Sequence, residues 1–300
     1  MTDGRLERAT VATLPGEPIR FPSRPDGNLG GRAVRKDEIE IDERGLYIES
    51  WLPERRSRRR PLYLLHGELG GSWLWERYLG YFAGRGWEAH ALNLRAHFWS
   101  STDDVAQLTF DSYLQDVRAG LARLGPNPVL VAHGLGALLA MKAGESSAVG
   151  GIVLISPPLP RELRGPPEAH RLRQVPPVFR RDHVGWAGLP EQIRRHNPDL
   201  SIADVLRVQH MLGQESGAVR RAMVSGIGVD REALGRLPML VVGAGLDRLF
   251  PEGESERVAA WLDAEYQPFG AHSHYGTVIG EESYRQVADA IRSFLERHRL

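Results

Sequence analysis

The 300-residue chain carries 11 histidines and no cysteine, and that contrast sets the chemistry open to it. Without thiols there is no disulfide, no thiolate metal site and no cysteine nucleophile. Proton transfer near neutral pH falls first to histidine. His170, His183, His196 and His210 are scattered, with no H-x-x-x-H or carboxylate spacing that would hold a metal. The glycine-rich stretch His66–Gly71 lacks the Lys-Ser/Thr ending of a phosphate loop. No metal and no cofactor is expected. Trp73, Trp75, Trp99 and Trp186 could line an apolar pocket, although aromatic residues more often build core.

The elements that must position such residues follow from the apolar pattern. Hydrophobic residues make up 42% of the chain and charged residues 25%, ordinary globular usage that excludes a disordered or fibrous chain. Lys+Arg and Asp+Glu both number 38, so the basic excess of a dedicated nucleic-acid binder is missing. There is no signal-peptide core and no uncharged apolar run long enough to span a bilayer, which points to a soluble, cytoplasmic protein.

Residues 1–32, rich in Pro, Gly and Arg, read as an extended tail. Alternation in 37–42 and 46–51 suggests a hairpin. Continuous apolar runs near 61–65, 87–93, 128–134, 151–157 and 238–245 are the kind buried on both faces of a parallel sheet. They alternate with helical patterns at 72–84, 110–124 and 136–145. A helix near 254–263, a strand near 264–269 and an amphipathic helix at 282–297 complete the series. The order predicts an α/β fold, a doubly wound, mostly parallel sheet with an antiparallel start. Between 158 and 236 the alternation stops, and helix-like runs such as 202–212 and 217–226 suggest a lid over the strands' carboxyl ends. The division is a core of 33–157 and 237–300 interrupted by a cap of 158–236.

Five segments, HGELGGSW, GWEAHALNLRAHFWS, LVAHGLGALLA, VVGAGLDRLFP and FGAHSHYG, stand in the motif order of one family. Together they resemble the α/β-hydrolase superfamily from about residue 37 to the C-terminus. The resemblance implies a nucleophile elbow, G-x-S-x-G, at Ala132, His133, Gly134, Leu135 and Gly136. The nucleophile position is therefore Gly134, which has no side chain and can form no acyl-enzyme. Asp247 matches the family's triad acid. Two histidines compete for the triad base. Counting back along FGAHSHYG favours His272, while counting forward to the final helix favours His274; the helix is the firmer ruler, and both are kept.

The resemblance further implies an oxyanion hole made by the backbone N–H groups of Leu135 and Glu68, both of which survive the loss of serine. A carboxylate beside a forming oxyanion repels it, so the Glu68 side chain is turned to solvent, paired with a lid arginine, or protonated as a catalytic acid. His133, at a variable elbow position, reads as packing, and His66 as a backbone hydrogen-bonder. Asn93, Arg95 and His97 correspond to the family's Asp-x-Arg-Gly-His segment, with Asn for Asp and Ala96 for Gly, and the resemblance implies that they brace loops.

Three functions are compatible with this pattern. One is an enzyme using a His–Asp dyad as general base on a small, largely apolar substrate, as a non-covalent hydrolase, lyase, isomerase or cyclase. Another is a pseudo-hydrolase that binds a small hydrophobic ligand. The last is a serine hydrolase inactivated by replacement of serine with glycine. Substrate identity, reaction type and oligomeric state do not follow from these residues.

Overall fold

The computed structural model describes residues 34–300 apart from Asp42, Glu43, Arg56, Thr102, Pro167, Glu168 and Arg236. The expected tail over 1–32 and part of the Asp42–Gly45 turn lie outside the described residues.

Among the described residues there are ten strands: β1 (Val34–Ile41), β2 (Leu46–Pro53), β3 (Leu62–Leu65), β4 (Ala89–Asn93), β5 (Val129–His133), β6 (Gly151–Ile155), β7 (Val178–Arg180), β8 (Gln214–Ser216), β9 (Met239–Ala244) and β10 (Glu265–Phe269). Eight of them form one sheet in the order β1-β2-β4-β3-β5-β6-β9-β10. β2 pairs antiparallel with β1 and β4, and the remaining neighbours are parallel.

The central strands are short and apolar because both faces are covered. Tyr63 and Leu65, Leu130 and Ala132, and Ile152 and Leu154 pack into the core on one side. Their neighbours Leu62 and Leu64, Val129 and Val131, and Val153 and Ile155 pack into a second core on the other. A strand's period of two thus feeds two cores at once.

The helices are α1 (Glu76–Ala83), α2 (Phe110–Leu121), α3 (Leu135–Gly144), α4 (Ala169–Gln174), α5 (Pro190–His196), α6 (Ile202–Met211), α7 (Gly217–Ser225), α8 (Arg231–Leu234), α9 (Glu252–Leu262), α10 (Gly276–Ile279) and α11 (Ser283–Arg297). α2, α3 and α9 supply the first core, α1 and α11 the second. α3 is buried almost throughout and so lacks the apolar stripe of a surface helix. α2 starts on a capping box in which Thr109 and Ser112 satisfy each other's backbone.

Residues 158–236 hold α4 to α8. They also hold a feature not expected from the sequence, the antiparallel pair β7–β8. Three-residue strands are too short to show a period. Among the described residues no helix is long and apolar enough to cross a membrane.

Candidate active site

β5 runs straight into α3 through a single residue, Gly134, at φ 53° and ψ −124°. An L-residue is strained there, and glycine is not. A Cβ built on Gly134 would lie 3.4 Å from Cε1 and 3.5 Å from Nε2 of His274, both ordinary contacts. Two residues on, a Cβ on Gly136 would sit 2.5 Å from the Leu65 carbonyl oxygen and 2.6 Å from that of His66. Only glycine lets the first turn of α3 approach the end of β3 so closely. The elbow's small residues therefore divide by cause: Gly136 is needed for space, whereas position 134 has room for a side chain.

His274 donates from Nδ1 to Asp247 Oδ2 at 2.7 Å. The other carboxylate oxygen, Oδ1, accepts the Leu249 and Phe250 N–H groups at 2.8 and 2.9 Å. Asp247 is buried, so these bonds fix its rotamer and hold the imidazole with Nε2 toward Gly134. His272, the competing histidine, stacks on Phe269 with ring centroids 4.8 Å apart and does not bond Asp247. Burial lowers its pKa.

His133 lies against His274, ring centroids 4.1 Å apart. Its Nε2–H donates to the His274 carbonyl at 3.1 Å, and burial drives its pKa well down. It therefore supports the His274 backbone as a neutral ring.

The loop after β3 approaches Gly134 from the other side, with the Gly67 Cα 3.6 Å from the ideal Cβ of residue 134. The Leu135 N–H is in the first turn of α3, where no helix carbonyl is available to it. His66 braces the loop: Nδ1–H donates to the Gly67 carbonyl at 2.8 Å and Nε2 accepts the Leu94 N–H at 3.2 Å. Burial lowers its pKa to about 3, so it stays neutral. Asn93 accepts the Ser72 N–H at 2.7 Å, and Arg95 grips the buried Asp116.

A family model for the α/β hydrolase family matches residues 62–290. The chain belongs to the α/β hydrolase family. Among solved structures, it is similar to a bromoperoxidase from Bacillus anthracis, at TM-score 0.66 and 14% identity over 87% of this chain and 100% of that one. A monoacylglycerol lipase from Paleococcus ferrophilus gives TM-score 0.62 and 17% identity over 84% and 99%. The thioesterase domain from the curacin biosynthetic pathway gives 0.61 and 17% over 87% and 99%. At such identities the likeness is one of fold. A search of curated protein sequences finds no match.

In this α/β hydrolase the segment 158–236 reaches the loop after β3 at three points. Gly213 N–H donates to the Leu69 carbonyl at 2.9 Å. The Leu69 N–H donates to Glu215 Oε2 at 3.4 Å. Arg220 of α7 forms an ion pair with the buried Glu68 carboxylate. Burial raises the Glu68 pKa to about 6 despite that arginine. Of the dispositions open to Glu68, the one toward solvent does not occur.

Glu215 anchors a wholly buried cluster. It accepts hydrogen bonds from Tyr113 Oη at 2.6 Å and Ser216 N–H at 2.8 Å, and faces His97 Nε2 at 3.4 Å. Burial alone would neutralise both members of the pair. Each instead stabilises the other's charge, so Glu215 is held below the ordinary carboxylate range and His97 above the ordinary histidine value. Glu215, Arg220 and Tyr113 escape a reading of the sequence. No local pattern marks them, since their partners are brought in by chain folding.

A cavity of about 270 Å³ opens at His274, lined also by His183, Trp186, His196, Arg248 and Tyr275. Trp186 is thus the one of the four tryptophans considered that lines this cavity. Trp73 and Trp75 are core and Trp99 is exposed.

Proposed function

We propose that this α/β hydrolase is an enzyme without a covalent step, in which His274 is the general base and Asp247 holds its tautomer. The observation that carries the reading is the facing of the Asp247–His274 hydrogen bond and the bare main chain of Gly134. Nε2 stands 3.5 Å from where a Cβ would be, with no side-chain nucleophile between. A water or a substrate atom taken in beside Gly134 replaces the hydroxyl.

For hydrolysis, the water oxygen bonds to the substrate carbonyl carbon while Nε2 takes its proton. The carbonyl electron pair moves onto oxygen, which accepts hydrogen bonds from the Glu68 and Leu135 N–H groups. Collapse re-forms the carbonyl and expels the leaving group, which takes the proton back from His274. The same base serves elimination, isomerisation or cyclisation of a substrate bearing an acidic C–H or O–H. General base catalysis contributes about 10²–10⁴-fold and oxyanion donors about 10²–10³-fold. Trp186, Ile193, Leu249 and Tyr275 suit a small, largely apolar substrate, and residues 158–236 serve as its cap.

The Glu68–Arg220 pair favours a second reading, because a carboxylate beside the oxyanion donors opposes charge developing there. In that reading the chain is a pseudo-hydrolase that holds a small apolar ligand unchanged.

The test is turnover of activated aryl esters by the unaltered protein and by His274→Ala, with intact-protein mass spectrometry. The reading expects turnover without any adduct, reduced about 10²–10⁴-fold by the substitution. An ester recovered unchanged after prolonged incubation supports the pseudo-hydrolase. Full turnover in His274→Ala refutes the base.

A further inference from the structure

The cavity at His274 has a charge balance that selects its ligand. Asp247 is committed to His274 and to two backbone N–H groups, and Glu68 to Arg220. Two other arginines nearby are ion-paired, Arg207 with Glu76 and Arg77 with Asp204, while Arg194 donates to the Leu200 carbonyl and does not line the cavity. Arg248, next to Asp247 in sequence, lines the cavity and has no hydrogen bond or ion pair with any described residue. No aspartate or glutamate is among the described residues lining the cavity. Among the described residues three histidines line it, His274 on Asp247, His183 with Asp182 Oδ1 2.8 Å from its Nδ1, and His196. Arg248 is thus the one permanently charged side chain among the described residues lining a site that also offers an apolar wall.

We infer that Arg248 is an anion subsite, and that the ligand of this cavity is a small molecule with a carboxylate at one end and its reacting group at the other. A guanidinium fork takes a planar carboxylate bidentately and balances its single charge, whereas a dianionic phosphate would bring a second negative charge that no other Lys or Arg among the described lining residues meets. The cavity volume is below the range of drug-sized sites, which start at about 300 Å³, so both ends of the ligand are short. The inference takes from the preceding section the position of the reacting group at His274. The subsite itself rests on the charge balance.

Calorimetric titration at low ionic strength compares monomethyl glutarate, which carries a carboxylate and an ester, with dimethyl glutarate. Arg248 is exposed, which limits the gain to about tenfold tighter binding of the half-ester, shrinking with added salt. Arg248→Gln removes the preference, and circular dichroism verifies that substitution at this exposed position leaves the fold intact. Arg248→Lys retains part of it. His274→Ala keeps the preference while turnover falls about 10²–10⁴-fold, so loss of the dyad reading and loss of the subsite give different results. Equal affinities, failure of both probes to bind, or a preference that survives Arg248→Gln overturns the subsite. Tighter binding of methyl phosphate than of the half-ester overturns the choice of carboxylate.

Discussion

Placing a hydroxyl at position 134 tests the geometry most directly. At φ 53° a non-glycine residue costs about 1–3 kcal/mol in backbone strain. The stiffer unfolded chain returns about 0.4–1 kcal/mol. The new Cβ meets His274 at 3.4–3.5 Å and Gly67 at 3.6 Å, so no clash is added. Gly134→Ser and Gly134→Ala are therefore each expected to lose about 0.5–2 kcal/mol, read by urea unfolding. From that Cβ a serine Oγ can rotate to about 2.6–3.2 Å from Nε2, the reach needed for deprotonation.

Gly134→Ser should then give a burst of p-nitrophenol from p-nitrophenyl acetate and an acetyl adduct on residue 134 by mass spectrometry. Its steady-state rate for the non-covalent reaction should not rise, because the side chain fills the space that reaction uses. Gly134→Ala carries the same strain and bulk without the hydroxyl, and should show neither burst nor adduct. A folded Gly134→Ser protein that never acylates would falsify the placement of His274. An adduct on the unaltered protein would show that a nucleophile elsewhere had been missed.

Other consequences are accessible to simpler measurements. Asp247→Asn should cut the His274-dependent rate by about 10²–10⁴-fold, because the amide cannot hold the imidazole in the required tautomer. Gly136→Ala should cost about 1–3 kcal/mol or more, since its methyl meets two backbone carbonyls that cannot move aside. In Glu215→Gln the His97 pKa, followed by NMR of its ring proton, should fall, because burial, the largest influence on it, is then opposed only by the Arg95 carbonyl hydrogen bond and the Asp116 charge. Unchanged titration would mean the pair does not form. Glu68 titrates near 6 in the folded state against an ordinary value of 4.5, so the folded form holds the extra proton between them. Stability from this group is full below pH 4.5 and declines by about 2 kcal/mol as pH rises through 6. Glu68→Gln should remove that slope from chemical unfolding measured between pH 4 and 7.

The sheet was readable in advance because burial on two faces writes itself locally. Leu62–Leu65 and Gly151–Ile155 had to be apolar throughout, and each such run announced a strand wherever it later paired. The turn from β5 to α3 was readable too, because Gly134 and Gly136 sit where strand meets helix and their constraint is carried by neighbours in sequence. The choice between His272 and His274 was not. Both follow the last strand, and only the packed turn decides which ring meets Asp247, 27 residues away.

Least visible were the charges that dress the site. Leu69 and Glu215 are 146 residues apart, and Arg220 and Glu68 are 152 apart. A charged residue shows no period, and its partner depends on the whole path of the chain. Hydrophobic patterning acts over one turn or one strand, so it is inscribed in the local order of residues. Buried ion pairs, and an Arg248 at the cavity without a partner among the described residues, come into being only once distant segments are packed together, since charges choose partners by proximity in space.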